Sequence, residues 1–111
     1  MIYRGVTEGR MPMNVMIDAL ARNPARIFGL YPRKGAIAPG SDADIVVFDP
    51  TVRTTMSAAS QHSRVDYNLF EGETGAGAAR TVLVRGTPVI QDGELVAEPG
   101  HGRFLARDRV S

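Results

Sequence analysis

The apolar positions of this chain change period along its length, from a helical spacing near the start to strand-like runs in the second half. Met13, Met16, Ile17 and Leu20 fall three and four residues apart, which places them on one face and predicts an amphipathic helix over 13–22. The residues ahead of it, with Gly5, Gly9 and Pro12, read as a loop. Asn23 suits an N-cap, and Pro24 suits the first helical position because its missing N–H is not needed there. Gly29 suits the left-handed conformation that stops a helix, so a second, short helix is expected between them.

Beyond Gly29 the punctuation changes. Tyr31-Pro32-Arg33-Lys34-Gly35 reads as a turn, Ala36-Ile37 as a very short strand and Pro39-Gly40 as another turn. Ile45-Val46-Val47-Phe48, held between Asp44 and Asp49, predicts a strand, and the alternation over 51–56 predicts a second. Residues 57–73 are irregular, with Tyr67 and Phe70 expected to anchor a long loop to the sheet. Gly75-Ala76-Gly77 reads as a flexible turn.

The clearest strand signal follows. Short apolar runs over 81–85, 88–91 and 94–97 are separated by Gly86-Thr87 and Asp92-Gly93, and Asp-Gly suits a type I′ turn. They predict an antiparallel meander with Pro88 at a strand start or an edge, since proline cannot donate to the ladder. The class is α+β: helices first, then a mostly antiparallel sheet.

Composition narrows the possibilities. A chain of 111 residues has room for one core, and no apolar run approaches the ~20 residues that span a bilayer. Basic and acidic side chains nearly cancel, at 13 against 12, and are interspersed, which argues against a nucleic-acid or membrane partner. With no cysteine, disulfides and thiolate metal sites are excluded, and the opening MIYRGVTEGRMP lacks the apolar stretch of a secretory leader. A cytoplasmic location is the expectation.

Candidate chemistry is sparse. Asp42 and Asp44 have strand spacing and would share a side, as paired carboxylates for acid–base or metal work do. The structural alternative, preferred here, has Asp42 bonding turn backbone and Asp44 opening a strand at a solvated corner. His62 with Asp66 offers imidazole and carboxylate, yet one histidine is not a site, and a surface role fits it better. An independent small enzyme built on His62, Asp66 and Glu71 would need a nucleophile, a base and an oxyanion donor that converge, and the spacing supplies none. The methionines of the first helix read as core packing.

Three stretches together resemble one family. Asn23-Pro24-Ala25, Phe28-Gly29-Leu30, Lys34-Gly35 and Gly40-Ser41-Asp42-Ala43-Asp44 form the first. The second is 62–68 with Phe70-Glu71-Gly72, and the third is 100–105, GHGRFL. They are similar to the dihydropyrimidinase and D-hydantoinase group of amidohydrolases, at the point where the last barrel helix hands the chain to a β-sandwich. The resemblance implies a helical segment over 1–30 from the end of that barrel, a β-sandwich portion over 31–99 and a C-terminal arm over 100–111. It gives Asn23, Pro24, Phe28, Gly29, Lys34, Gly35, Gly40, Asp42, Asp44, Glu71 and Gly72 structural roles.

By the same resemblance the whole enzyme opens a cyclic amide, a dihydropyrimidine or hydantoin ring. Two divalent metals, usually zinc, held by histidines, an aspartate and a carbamylated lysine, activate a hydroxide for that attack. This chain has two histidines, His62 and His101, far apart, where the family has a His-x-His pair, and its only lysine, Lys34, sits in the Lys-Gly turn. A barrel needs roughly 200 residues or more. The expectation is therefore a C-terminal scaffold and oligomerisation portion with no catalytic, metal or cofactor-binding residue of its own. The sandwich strands that the family draws from its N-terminus are missing here, so the open edges predict self-association. The alternative is a non-catalytic interaction module derived from a dihydropyrimidinase-related protein. Allantoinases and dihydroorotases share the layout, and substrate choice lies in barrel loops.

Overall fold

A computed structural model describes residues 2–107. Helix α1 (Ile2–Thr7) opens the chain where a loop was expected. Gly5 weakens it locally, and beside the local Arg4–Glu8 pair at 2.9 Å two contacts from elsewhere hold it: Tyr3 meets Phe48 edge-to-face at 4.7 Å, and Arg4 pairs with Glu73 at 3.1 Å. These are tertiary contacts that local pattern does not register.

Helix α2 (Met13–Ile17) and helix α3 (Asn23–Ile27) are joined without a break by a π-helical turn (Asp18–Arg22). Asn23, at φ −66° and ψ −45°, is helical and caps nothing, so the expected second helix is the end of the first. The physical reason is Pro24. Inside a helix its ring meets the carbonyl four residues back, here Leu20, and the wider π turn relieves that contact; the Asn23 N–H reaches back to the Asp18 carbonyl instead. Gly29 does end the helix as expected. At φ +67° it donates to the Arg26 carbonyl at 3.1 Å while Leu30 donates to Ala25 at 2.7 Å, the two bonds of a Schellman cap.

Strand β1 (Ile45–Thr55) takes in both runs that were read as separate strands. The interruption between them survives as a register shift between Asp49 and Arg53. Pro50 lacks a donor there, and Asp49 Oδ1 accepts from both the N–H and the hydroxyl of Thr51, at 2.8 and 2.7 Å. Residues 36–37 form no strand.

Strand β2 (Thr74–Val84) runs straight through Gly75-Ala76-Gly77, which is strand and not a turn. Gly77 admits a ring: a Cβ there would stand 2.1 Å from Phe48 Cζ. Strands β3 (Thr87–Gln91) and β4 (Glu94–Leu95) complete one antiparallel sheet in the order β1-β2-β3-β4. The first tight turn is Arg85-Gly86, one residue earlier than expected, with positive φ at both positions as a type I′ turn requires. The last run is shorter than expected and ends at Leu95, after which Val96 donates to Val89 at 3.0 Å.

The irregular segment 57–73 is not anchored by its aromatics, since Tyr67 is 65% and Phe70 42% exposed. Polar bonds hold it. Glu71 accepts the Ala58 N–H at 2.7 Å, and Gly72, at positive φ, donates to the Met56 carbonyl at 2.8 Å.

Among the described residues one apolar side chain, Ala25, is buried. The accessible surface is 8541 Å², against about 6,000 Å² for a compact monomer of 12.0 kDa. The radius of gyration, 15.6 Å, likewise exceeds the roughly 13 Å of a compact chain this long. The helical stripe remains open, with Met13, Ile17 and Leu20 at least 40% exposed.

Candidate functional site

Most of the motif residues in the first half of the chain meet at the junction between the end of α3 and the sheet. Gly35, at φ +78°, lies against the helix so closely that a Cβ there would be 2.6 Å from Ala25 Cβ and 2.8 Å from the Ala21 carbonyl oxygen. That contact fixes the direction in which the chain leaves Lys34. The lysine ammonium sits between two carboxylates, Asp42 at 2.9 Å and Asp44, while Arg33 approaches Asp42 from the outside at 3.1 Å. Ser41 donates to the Pro32 carbonyl at 2.8 Å and the Asp42 N–H to Arg33 at 2.9 Å, so the two turns are bonded to each other.

Asp44 connects this knot to the sheet. Its Oδ1 accepts the Arg85 N–H at 2.9 Å, and the neighbouring Ala43 carbonyl accepts the Gly86 N–H at the same distance. Arg85 then reaches the C-terminal segment, donating to the His101 carbonyl at 2.6 Å, and His101 Nε2 lies 3.3 Å from the Val84 carbonyl. One line of polar contacts therefore runs from Lys34 through Asp44 and Arg85 to the chain's last described segment. Asp42 bonds the two basic side chains and not turn backbone, which corrects the expectation for that residue.

The protonation states follow from these partners. Partial desolvation works against the Lys34 cation, but bonds to Asp44 and Asp42 outweigh it and hold its pKa above the usual lysine value. Lys34 holds the Asp42 carboxyl below the ordinary carboxylate range. Desolvation raises the Asp44 carboxyl, yet Lys34 and the Arg85 N–H together bring it below that range. All three groups are thus kept charged at neutral pH.

This arrangement ties elements together and is poorly suited to turnover. A lysine that must be neutral to take up carbon dioxide is here locked as a cation between carboxylates. His62 and Asp66 are exposed, and His101 is engaged with strand backbone. Among the described residues no three His, Asp or Glu side chains gather as a metal-ligand set. The residues present do not fit a dinuclear metal centre, and no catalytic step is derived through one. A shallow recess beside the knot is lined mainly by Ala36, Ile37, Ala43 and Ile45, with Ser41 and Asp42 at its edge.

Of the remaining motif residues, Gly40 takes φ +89° with open space around it, and Glu71 and Gly72 close the long loop as described. Sequence reasoning did not find Arg85, Gly77 or the Arg4–Glu73 pair. A positive φ at Arg85 carries no composition signal. The other two depend on residues distant in sequence.

The sequence profile described as "Amidohydrolase family" matches residues 2–89. A D-hydantoinase of Ralstonia pickettii is 42% identical over 107 residues, covering 96% of this chain and 23% of that protein. The dihydropyrimidinase of Rattus norvegicus is 42% identical over 104 residues, covering 94% of this chain and 20% of that one. Among solved structures, a D-hydantoinase superposes with a TM-score of 0.95 at 40% identity, covering 98% of this chain and 24% of that chain. The D-hydantoinase (dihydropyrimidinase) from Thermus sp. gives 0.91 at 47%, covering 95% and 23%. The chain spans less than a quarter of the length of these relatives. On the match over 2–89 and these identities, the chain belongs to the amidohydrolase family.

Proposed function

We propose that this chain is the C-terminal scaffold portion of a metal-dependent hydrolase that opens cyclic amides, a dihydropyrimidine or hydantoin ring. Its relatives are named hydantoinases and dihydropyrimidinases, and amidohydrolases are generally metal-dependent. The observation that carries the reading is the uncovered surface, 8541 Å² where about 6,000 Å² would close a chain of this mass. Such a surface belongs to a part that packs against more protein.

In this reading residues 1–30 end a barrel, 31–99 form a β-sandwich portion and 100–111 form an arm; Met1 and 108–111 lie outside the described residues. The metals, zinc by family habit, and the substrate are held by the barrel, in the cytoplasm. Lys34, Asp42 and Asp44 keep the barrel's last helix at a set position against the sheet. No helix among the described residues is long and apolar enough to cross a membrane.

Hydrolysis of dihydrouracil and a 5-substituted hydantoin, assayed with added zinc, tests the assignment. Turnover is expected from a longer protein carrying this sequence and none from the 111 residues alone. Zinc-dependent turnover by the 111 residues would overturn it, and no turnover by either would favour a non-catalytic interaction module.

Taken alone, the chain is expected to self-associate. Strand β1 borders the sheet and has β2 on one side only, while Phe104 on the terminal segment is 95% exposed. Sedimentation velocity over a concentration series should show dimers or larger species. A single monomeric boundary at every concentration would remove this part of the proposal.

A further inference from the structure

Asp92-Gly93 is the only Asp-Gly step in the chain, and it forms the exposed turn between β3 and β4 with positive φ at both residues, 51° and 85°. Nothing lies within 4 Å of where a Gly93 Cβ would stand, so water reaches the turn freely. An aspartate followed by glycine is chemically unstable, because glycine leaves its own amide nitrogen open to approach by the aspartate side chain. Here both reacting groups are occupied by a single residue of β2. Arg80 Nε holds Asp92 Oδ1 at 3.1 Å, and the Arg80 carbonyl accepts the Gly93 N–H at 3.2 Å.

We propose that the β3–β4 turn is a site of spontaneous aspartate isomerisation at Asp92, and that Arg80 is the residue that restrains it. In the reaction the Gly93 amide nitrogen bonds to Asp92 Cγ. The nitrogen's proton, a carboxyl oxygen and one proton from solvent leave as water, and a five-membered succinimide forms. Solvent water then opens the ring at the main-chain carbonyl, which routes the backbone through Cβ and Cγ. No oxidant or reductant takes part, and the mass is unchanged. Attack requires the carboxyl group to leave the guanidinium and the Gly93 N–H to leave the Arg80 carbonyl, so closure waits on opening of the turn. The extra backbone atom in the product no longer fits a two-residue type I′ turn, so β4 and the Val96–Val89 bond are lost with it.

The test is isoaspartate formation at Asp92, followed by peptide mapping over days of incubation at neutral pH. Wild type, Arg80→Gln and Arg80→Lys are compared with the urea-unfolded chain. The folded wild type should isomerise more slowly than the unfolded chain. Because an ion pair this exposed restrains its partner only modestly, Arg80→Gln should accelerate the reaction by about two- to fivefold. Arg80→Lys should recover most of the difference, and added salt should speed the wild type while leaving Arg80→Gln unchanged. Circular dichroism separates faster chemistry in a folded variant from unfolding. Equal rates in wild type, Arg80→Gln and the unfolded chain would overturn the proposal, as would a slower rate in Arg80→Gln.

Discussion

Gly35→Ala is expected to destabilise the protein by about 2–5 kcal/mol, the sum of a left-handed backbone penalty and an overpacking penalty. The residue sits at φ +78°, and the new methyl group would stand 2.6 Å from Ala25 Cβ and 2.8 Å from the Ala21 carbonyl oxygen. Neither neighbour is the free end of a flexible side chain. Ala25 is the buried centre of the helix contact, and the Ala21 carbonyl belongs to the π-helical turn. Relief therefore requires the helix to move away from the 31–35 turn, and the Lys34 knot moves with it. Gly40→Ala is the control. Its φ is +89° with nothing within 4 Å, so it should lose only the backbone part, about 1–2 kcal/mol. Urea midpoints of the two variants give the comparison; equal losses would mean that the contact at Gly35 yields without cost.

Asp44→Ala is expected to cost about 1.5–3 kcal/mol, since it leaves the Arg85 N–H without its acceptor and Lys34 with one carboxylate in place of two. The lower half of that range is favoured by exposure, because about a third of the Asp44 side chain faces water. The pH dependence separates this loss from simple truncation. Both carboxyl groups have folded pKa values below the unfolded value of 3.8, so their contribution is complete above that value and lost as pH falls through the folded values. Lys34 is raised above 10.5, so its contribution is complete below 10.5 and lost as pH rises through the folded value. Wild-type stability should therefore fall at both extremes. Asp44→Ala should flatten both limbs, and an unchanged profile would show that Asp44 acts by packing alone.

The two predictions rest on features that the sequence disclosed unequally. Gly29 as a helix stop and Asp92-Gly93 as a tight turn were legible because each depends on a conformation that few residues accept. The runs at 45–48 and 81–84 were legible from β-branched density. Pro24 was misread for an instructive reason: a proline near an asparagine marks a helix start by local rule, and only the preceding π turn allows it inside a helix. Gly75-Ala76-Gly77 was misread similarly, since glycines in a strand look like a turn until the Phe48 ring is placed over Gly77. Tyr67 and Phe70 were expected to anchor that loop to the sheet, whereas Glu71 and Gly72 hold it through backbone bonds. The resemblance had marked Glu71 and Gly72 without giving a mechanism.

The candidate site divides the same way. Lys34, Gly35, Asp42 and Asp44 stood out as a motif, and their residue types already implied charge and a tight turn. Their pairing did not follow from spacing, because Asp42 could equally have bonded its own turn. The convergence of Arg85 and His101 on the same knot depends on how a distant hairpin docks.

By itself the sequence determined the α+β class, the helix stop at Gly29, the tight turn at Asp92-Gly93 and the lack of a His-x-His pair, because each is set by local backbone chemistry or by residue count. Tertiary structure alone decided that Gly77 seats an aromatic ring, that Lys34 is locked between carboxylates and that Arg80 pairs with Asp92. Each of these depends on atoms brought together from separate parts of the chain. Spacing along one segment carries no information about which distant segment will meet it.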